Sequence, residues 1–228
     1  MRFPTDLHYG DRESKARYVW EKYRTLLDGR ILDVGADECH LRDHLAESTE
    51  YVGVGLGGNP DLQVDLEREP LPFPDGSFDC VLCLDVLEHL DNPHAVFDEL
   101  CRVSRRYVVI SLPNAWLSLY RRLTKGDRPD DQPMRYYGLP PEPPEDRHKW
   151  FPSADDAERF VLYRAGLNGM RPLQVDDYPP PRPRRRGWRR RLRDAAQRHL
   201  FRAPHHPRNL QVSTVWAVLE KAPPGAEE

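Results

Sequence analysis

Scarcity narrows this chain first. Four cysteines, Cys39, Cys80, Cys83 and Cys101, serve 228 residues, too few for a disulfide framework at this length. No apolar run approaches the ~20 residues that span a bilayer. The opening stretch MRFPTDLHYGDRESK lacks the apolar core of a secretory leader. No internal repeat is present. These absences point to a soluble, cytoplasmic protein in a reducing compartment. What remains, 39% hydrophobic and 31% charged residues, suits a single domain over 1–228 with enough apolar matter to bury a core.

Charge is unevenly spread. Residues 182–202, RPRRRGWRRRLRDAAQRHLFR, hold ten Arg and one Asp, a net +9 within a total of −3, which leaves −12 for the rest. Trp188, Leu192, Ala195, Ala196 and Leu200 recur there at helical spacing. A basic amphipathic helix of this kind reads as a membrane-surface element. A solvated connection packed on the domain is the competing reading. Nucleic acid is disfavoured, because the acidic remainder offers no continuous basic groove.

Hydrophobic period gives the elements. Residues 12–29 carry a helical stripe ended by Gly29, and 30–35 read as a short buried strand. A helix follows over 38–47, then strands at 51–55, 62–66 and 78–86. The last of these has few polar residues, as a strand covered on both faces does. A helix with Pro93 near its first turn covers 92–104, and a strand 106–114. Residues 126–150 form a Pro-rich, charged, lid-like loop. Ser153 and Asp156 form a capping box for a helix over 153–169. Strands at 170–178 and 209–221 flank the basic insertion, 179–205. Strands alternating with helices predict crossover units around a parallel sheet. Ligands in such sheets sit beyond the strand carboxyl ends, here 33–39, 55–58, 65–67, 84–89 and 112–115.

The stretches ILDVG, YVGVG, LPFPDGSFDCVLCLDVLEHLDNP and ELCRVSRRYVVISLPN, in this order, resemble the class I S-adenosylmethionine-dependent methyltransferases. The likeness is greatest to the small-molecule "type 11" branch of ubiquinone and menaquinone biosynthesis. The resemblance implies a Rossmann-like three-layer α/β/α sandwich whose mostly parallel seven-stranded sheet ends in an antiparallel strand. It implies methyl transfer from S-adenosylmethionine to a small-molecule or lipid-linked acceptor. Asp33, Gly35 and Ala36 would face the methionyl end, Asp65 and Leu66 the adenine, and Leu84, Asp85 and Val86 the wall under the sulfonium.

The departures from the family pattern fall at the cofactor loops. The usual Gly-x-Gly-x-Gly turn reads Gly35, Asp37, Cys39, and Gly55 stands where the second strand usually ends in an acid. Asp37 would either repel the cofactor carboxylate, at about 1 kcal/mol or more, or meet its ammonium. A lost ribose hydrogen bond would cost ~1.5–3 kcal/mol, which weakens binding without abolishing it. A non-catalytic binding module with a degenerate loop is the alternative. A nicotinamide enzyme is disfavoured by the broken G-x-G-x-x-G.

In-line methyl transfer draws mostly on placement, and needs a general base only for an acceptor of high pKa. The candidates are His148, Tyr136 and Tyr137. His148 reads more simply as a surface residue, and His89 as a turn residue with structural hydrogen bonds. Trp150 and Phe151 read as core anchors. No metal site is expected. Cys80 and Cys83 lie three apart in a strand and face opposite sides, and His40 and His44 fit an exposed helix face.

Overall fold

A computed structural model describes residues 2–125, 137–139, 141–144, 146–178, 192, 195–196 and 207–222. Seven strands form one sheet: β1 Arg30–Val34, β2 Glu50–Gly55, β3 Leu62–Gln63, β4 Phe78–Leu84, β5 Ser104–Pro113, β6 Met170–Tyr178 and β7 Thr214–Lys221. Their order is β3-β2-β1-β4-β5-β7-β6. The strands β1 to β5 pair in parallel. β7 runs antiparallel between β5 and β6. The expected sandwich and its antiparallel last strand are both present.

Alternation along β4 shows why the sheet is covered twice. Val81 and Cys83 enter one apolar cluster, with residues of α2 (Pro93–Val103) and α4 (Ala154–Leu167). Cys80 and Leu82 enter the other, with α1 (Arg12–Tyr23) and Trp216. All four are fully buried, and the two cysteines do face opposite sides. A parallel strand buried on both faces has no polar face to offer, hence its apolar run.

Helix starts follow their caps. Asp11 and Ser14 form a capping box at α1, and Ser153 and Asp156 form the expected one at α4. The α1 helix is bound to the far edge of the sheet by a buried ion pair, Lys22 Nζ to Asp176 Oδ2 at 2.9 Å. Ahead of it, the peptide of Phe3 exchanges two hydrogen bonds with the Gln174 amide on β6. Tyr9 stacks on Tyr178, ring centroids 4.3 Å apart.

Several expectations need correction. The helix expected over 38–47 is a 3-10 turn, His40–His44. Its entry residue Cys39 has φ 55°, a left-handed conformation that starts no α-helix cheaply. The 62–66 strand shortens to Leu62–Gln63, because Asp65 turns the chain by accepting the amide of Glu67. The stripe read to Gly29 is helical only to Tyr23. The last strand begins at Thr214, after a 3-10 turn over Pro207–Leu210. An additional helix, α3, spans Ala115–Lys125. Asn114 starts it by accepting the Trp116 amide, while its own amide group donates to the carbonyls of Asn209 and Val212.

Candidate functional site

Sheet order reverses between β1 and β4, which places a crevice beyond their carboxyl ends. A cavity of about 460 Å³ lies there. β1 and its turn supply Asp33, Gly35, Ala36 and Asp37. β4 supplies Leu84 and Asp85, with Glu88 and His89 from the 3-10 turn Leu87–His89 that follows. The α1 helix and the segment before it supply Tyr9, Arg12 and Lys15, and the segment before α4 supplies Asp146 and His148.

The floor is charged. Asp85 sits in a left-handed conformation, φ 59°. Lys15 donates to it at 2.7 Å and to the Leu84 carbonyl at 3.3 Å, and Ser111 donates to it at 2.6 Å. Burial opposes charge on Asp85, but Lys15 and Ser111 outweigh it and hold the acid below the usual carboxylate range. Asp33 accepts a hydrogen bond from Tyr51 Oη at 2.7 Å. There burial wins over Tyr51 and the charge of Lys15, and lifts the acid to about 6.

The unusual loops are internally satisfied. Gly35 has φ 77°, and a Cβ there would lie 2.3 Å from Val86 Cγ2, so glycine is required by its neighbour as well as by its backbone. The amides of Gly35 and Ala36 donate to the Val54 carbonyl at 2.8 and 3.1 Å. They are thus committed to the sheet. Asp37 is ion-paired with Arg12, which neutralises the carboxylate that threatened repulsion. Beyond Gly55 the chain folds back. The Asn59 amide donates to the Asp37 carbonyl at 2.9 Å, and its side chain to Glu38 at 2.6 Å. Gly58 permits this, since a Cβ there would lie 2.3 Å from the Asp37 carbonyl carbon.

A third group gathers at the opposite wall. Glu88 is 2% exposed, and neither carboxylate oxygen has a hydrogen-bond partner among the described residues. His89 Nε2 and His148 Nε2 lie 3.8 and 3.9 Å from Glu88 Oε1. The other ring nitrogens are held from behind. His89 Nδ1 is 2.6 Å from Asp146 Oδ1, and His148 Nδ1 is 2.7 Å from Tyr137 Oη. Burial pushes Glu88 well above the carboxylate range, aided by Asp85. Burial, with His89, lowers His148 to about 4. The segment is fastened by the Lys149 amide, which donates to the Glu88 carbonyl at 2.8 Å, and by Trp150 Nε1, which donates to the Leu90 carbonyl at 2.7 Å.

Of the site residues expected from sequence, Asp33, Gly35, Ala36, Asp37, Leu84, Asp85 and His148 line the cavity. Gly55, Asp65, Leu66 and Val86 stand outside its lining. Leu66 is a core residue, and Val86 packs against the core and under Gly35. His148 is no surface residue, its side chain being only 8% exposed. Tyr137 reaches the site through His148, and burial keeps its phenol protonated. Tyr136 lies outside the described residues, as do all of 126–136 and nearly all of 179–206. Trp150 and Phe151 are each 43% exposed. They are therefore not core anchors: Trp150 holds Leu90, and Phe151 packs edge-on to Tyr137. His40 also lines the cavity. The N-terminal contributors Tyr9, Arg12 and Lys15 were not expected. A Lys and an Arg at the start of a helix whose stripe faces the sheet were the only sign of them.

Residues 32–110 match the family model described as a methyltransferase domain. No curated protein sequence matches the chain. Among solved structures, a SAM-dependent methyltransferase from Archaeoglobus fulgidus aligns over 93% of this chain and 95% of its own, with TM-score 0.57 and 16% identity. The YcgJ protein of Bacillus subtilis aligns over 88% and 96%, with TM-score 0.51 and 15% identity. The chain has the fold of the S-adenosylmethionine-dependent methyltransferases.

Proposed function

We propose that this chain transfers a methyl group from S-adenosylmethionine to a small-molecule or lipid-linked acceptor. The observation that carries the reading is the charge set at the β1/β4 switch point: the Lys15 ammonium bonded to Asp85 and the Leu84 carbonyl, beside buried Asp33. The amino-acid end of the cofactor is a zwitterion next to a sulfonium cation. Lys15 complements its carboxylate, and Asp33 and Asp85 complement its ammonium and the sulfonium. Gly35 and Ala36 allow close approach at the turn. Arg12 screens Asp37, so the altered loop keeps no bare negative charge facing the carboxylate. The resemblance puts the adenine end at Asp65 and Leu66, which stand outside the cavity lining. Bound there, the cofactor supplies a methyl group on a sulfonium, an electrophile that needs only a well-placed nucleophile.

The departures at Gly55 and the 57–59 turn bear on affinity. With no acid at the end of β2, one charge-assisted ribose contact is missing, worth ~1.5–3 kcal/mol, or roughly ten- to a hundredfold in dissociation constant. Cofactor binding is therefore expected in a weakened range.

Thermal unfolding with S-adenosylmethionine and with S-adenosylhomocysteine tests the reading. At a hundredfold excess over the dissociation constant the ligand adds ~2.7 kcal/mol, which is roughly 5–10 °C for a chain of this size. No shift with either compound at millimolar concentration, in a folded sample, would rule the cofactor out. The alternative of a non-catalytic binding module would then take its place.

A further inference from the structure

We infer that Glu88, His89 and His148 form a binding site for one first-row divalent cation at the acceptor wall of the cavity. Each offers a ligand atom, and these atoms all lie within 4.8 Å of one another. Four features support a cation over a chance cluster.

The first is Glu88 itself. A carboxyl group that is 2% exposed, with both oxygens lacking a hydrogen-bond partner among the described residues, is a costly unsatisfied polar group that a bound cation would complete. Lys15, the lysine that lines the cavity, bonds Asp85 and the Leu84 carbonyl and not Glu88. The second is ring orientation. Metal-bound imidazoles nearly always donate the other ring N–H to a carboxylate, carbonyl or similar acceptor, which fixes the tautomer. Here Asp146 backs His89 and Tyr137 backs His148, at 2.6 and 2.7 Å. Asp146, an acceptor, favours the Nδ1–H tautomer of His89, and both Nε2 atoms lie on the Glu88 side.

The third is spacing. Nε2 to Oε1 separations of 3.8 and 3.9 Å exceed a hydrogen bond, yet suit two ligands that share an ion at about 2.0–2.2 Å from each. The fourth is architecture. Two ligands come from one rigid turn after β4. The third comes from a segment latched to that turn by the Lys149 amide and the Trp150 indole. Two imidazoles and one carboxylate favour zinc, cobalt, iron or manganese over magnesium or calcium, which prefer oxygen alone.

Three protein ligands leave coordination positions open toward the cavity. An acceptor hydroxyl bound there is acidified by the ion. Its proton leaves to solvent, its oxygen forms the new bond to the methyl carbon, and the carbon–sulfur bond breaks to leave a neutral thioether. The acceptor is then a hydroxyl compound and the product a methyl ether. This role rests on the methyl-transfer reading, whereas the cation site does not.

The test uses tag-free, chelator-treated full-length protein. Zinc is titrated by calorimetry and cobalt by visible absorption. The expected result is one ion per chain, with cobalt bands that saturate at one equivalent. E88Q and H148A should each weaken binding at least about tenfold, and D146N, which only orients His89, by about tenfold. H44A, which alters a ring stacked on Trp20, should bind as the parent does. Metal-free melts establish that each variant folds, and E88Q, which keeps shape, stands in should H148A not fold. Absence of one-to-one binding, or unchanged affinity in both E88Q and H148A, overturns the inference. S-adenosylhomocysteine shifts in the same metal-free protein keep the two questions apart: a shift without cation binding sinks only the site, and cation binding without a shift sinks only the methyltransferase reading.

Discussion

Asp33, 8% exposed, lies at the end of β1 with one phenol donating to its carboxyl, from Tyr51. Its folded pKa, raised to about 6 from 3.8, means that the folded state binds the proton more tightly than the unfolded chain. Asp33 is therefore neutral in both states below pH 4, and its ionisation opposes folding as pH rises through 6. The cost above that point is on the order of 2–3 kcal/mol. Asp33→Asn keeps the shape and the acceptor for Tyr51. It should stabilise the protein by about 2 kcal/mol at pH 7.5, and the advantage should fade as pH falls from 6 toward 4. The same change should weaken S-adenosylhomocysteine binding. Urea melts at several pH values decide it, and a pH-independent or absent gain would remove burial as the cause.

Residues at strand ends were legible because an apolar run announces where it stops. Asp33, Gly35 and Asp85 follow directly from ILDVG and CLDV. Lys15 was not legible. It meets Asp85 across a separation of 70 residues, and the period of a helix reports its buried stripe without saying which polar residue overlooks a cavity. Glu88 and His89 stood in plain view in LEHL. Their partner His148 comes from a proline-rich stretch with no period, so nothing in the sequence brought the three together.

The α1 helix holds one wall of the cavity and is itself held by Lys22, buried at 3% exposure among Asp176 and the rings of Tyr18, Tyr23 and Trp216. Burial depresses the lysine pKa, and Asp176 works against that loss. Removing one partner of such a pair strands the other, at a typical cost of 3–5 kcal/mol. Gln174, which donates to both Asp176 oxygens at 2.9 Å, softens the effect. Lys22→Met should thus destabilise by about 3 kcal/mol, and Lys22→Met with Asp176→Leu should recover most of it. Recovery absent from the double variant would mean that packing, and not the stranded charge, carries the loss. At this scale β6 and α4 were read almost to the residue, since a capping box and a glycine stop bracket them. The helix α3 went unread because its cap, Asn114, is defined by contacts with 209 and 212. The 3-10 turn at His40–His44 resembled a helix because its side-chain period alone does not reveal a left-handed Cys39.

Over the whole chain, a body of net −12 carries a segment of net +9 at 182–202. No helix among the described residues is long and apolar enough to cross a membrane. The basic segment lies almost wholly outside those residues, so its sequence carries the argument. Arginines interleaved with Trp188, Leu192 and Leu200 suit the headgroup region of an anionic bilayer, where each basic residue near the surface contributes about 1 kcal/mol. The acidic body opposes approach over about a Debye length, ~10 Å at 0.1 M salt and ~30 Å at 0.01 M, so binding requires the contact charge and apolar insertion of the segment to outweigh that repulsion. The prediction is co-sedimentation with phosphatidylglycerol-rich vesicles at low salt, weak binding to neutral vesicles, and loss of binding as salt rises. Trp188→Ala with Leu192→Ala should lower the affinity without changing its salt dependence, because apolar insertion and charge act separately. If the protein stays in the supernatant with anionic vesicles at low salt, the segment belongs to the acidic body instead, and a lipid-linked acceptor loses its physical support while a diffusible one keeps it.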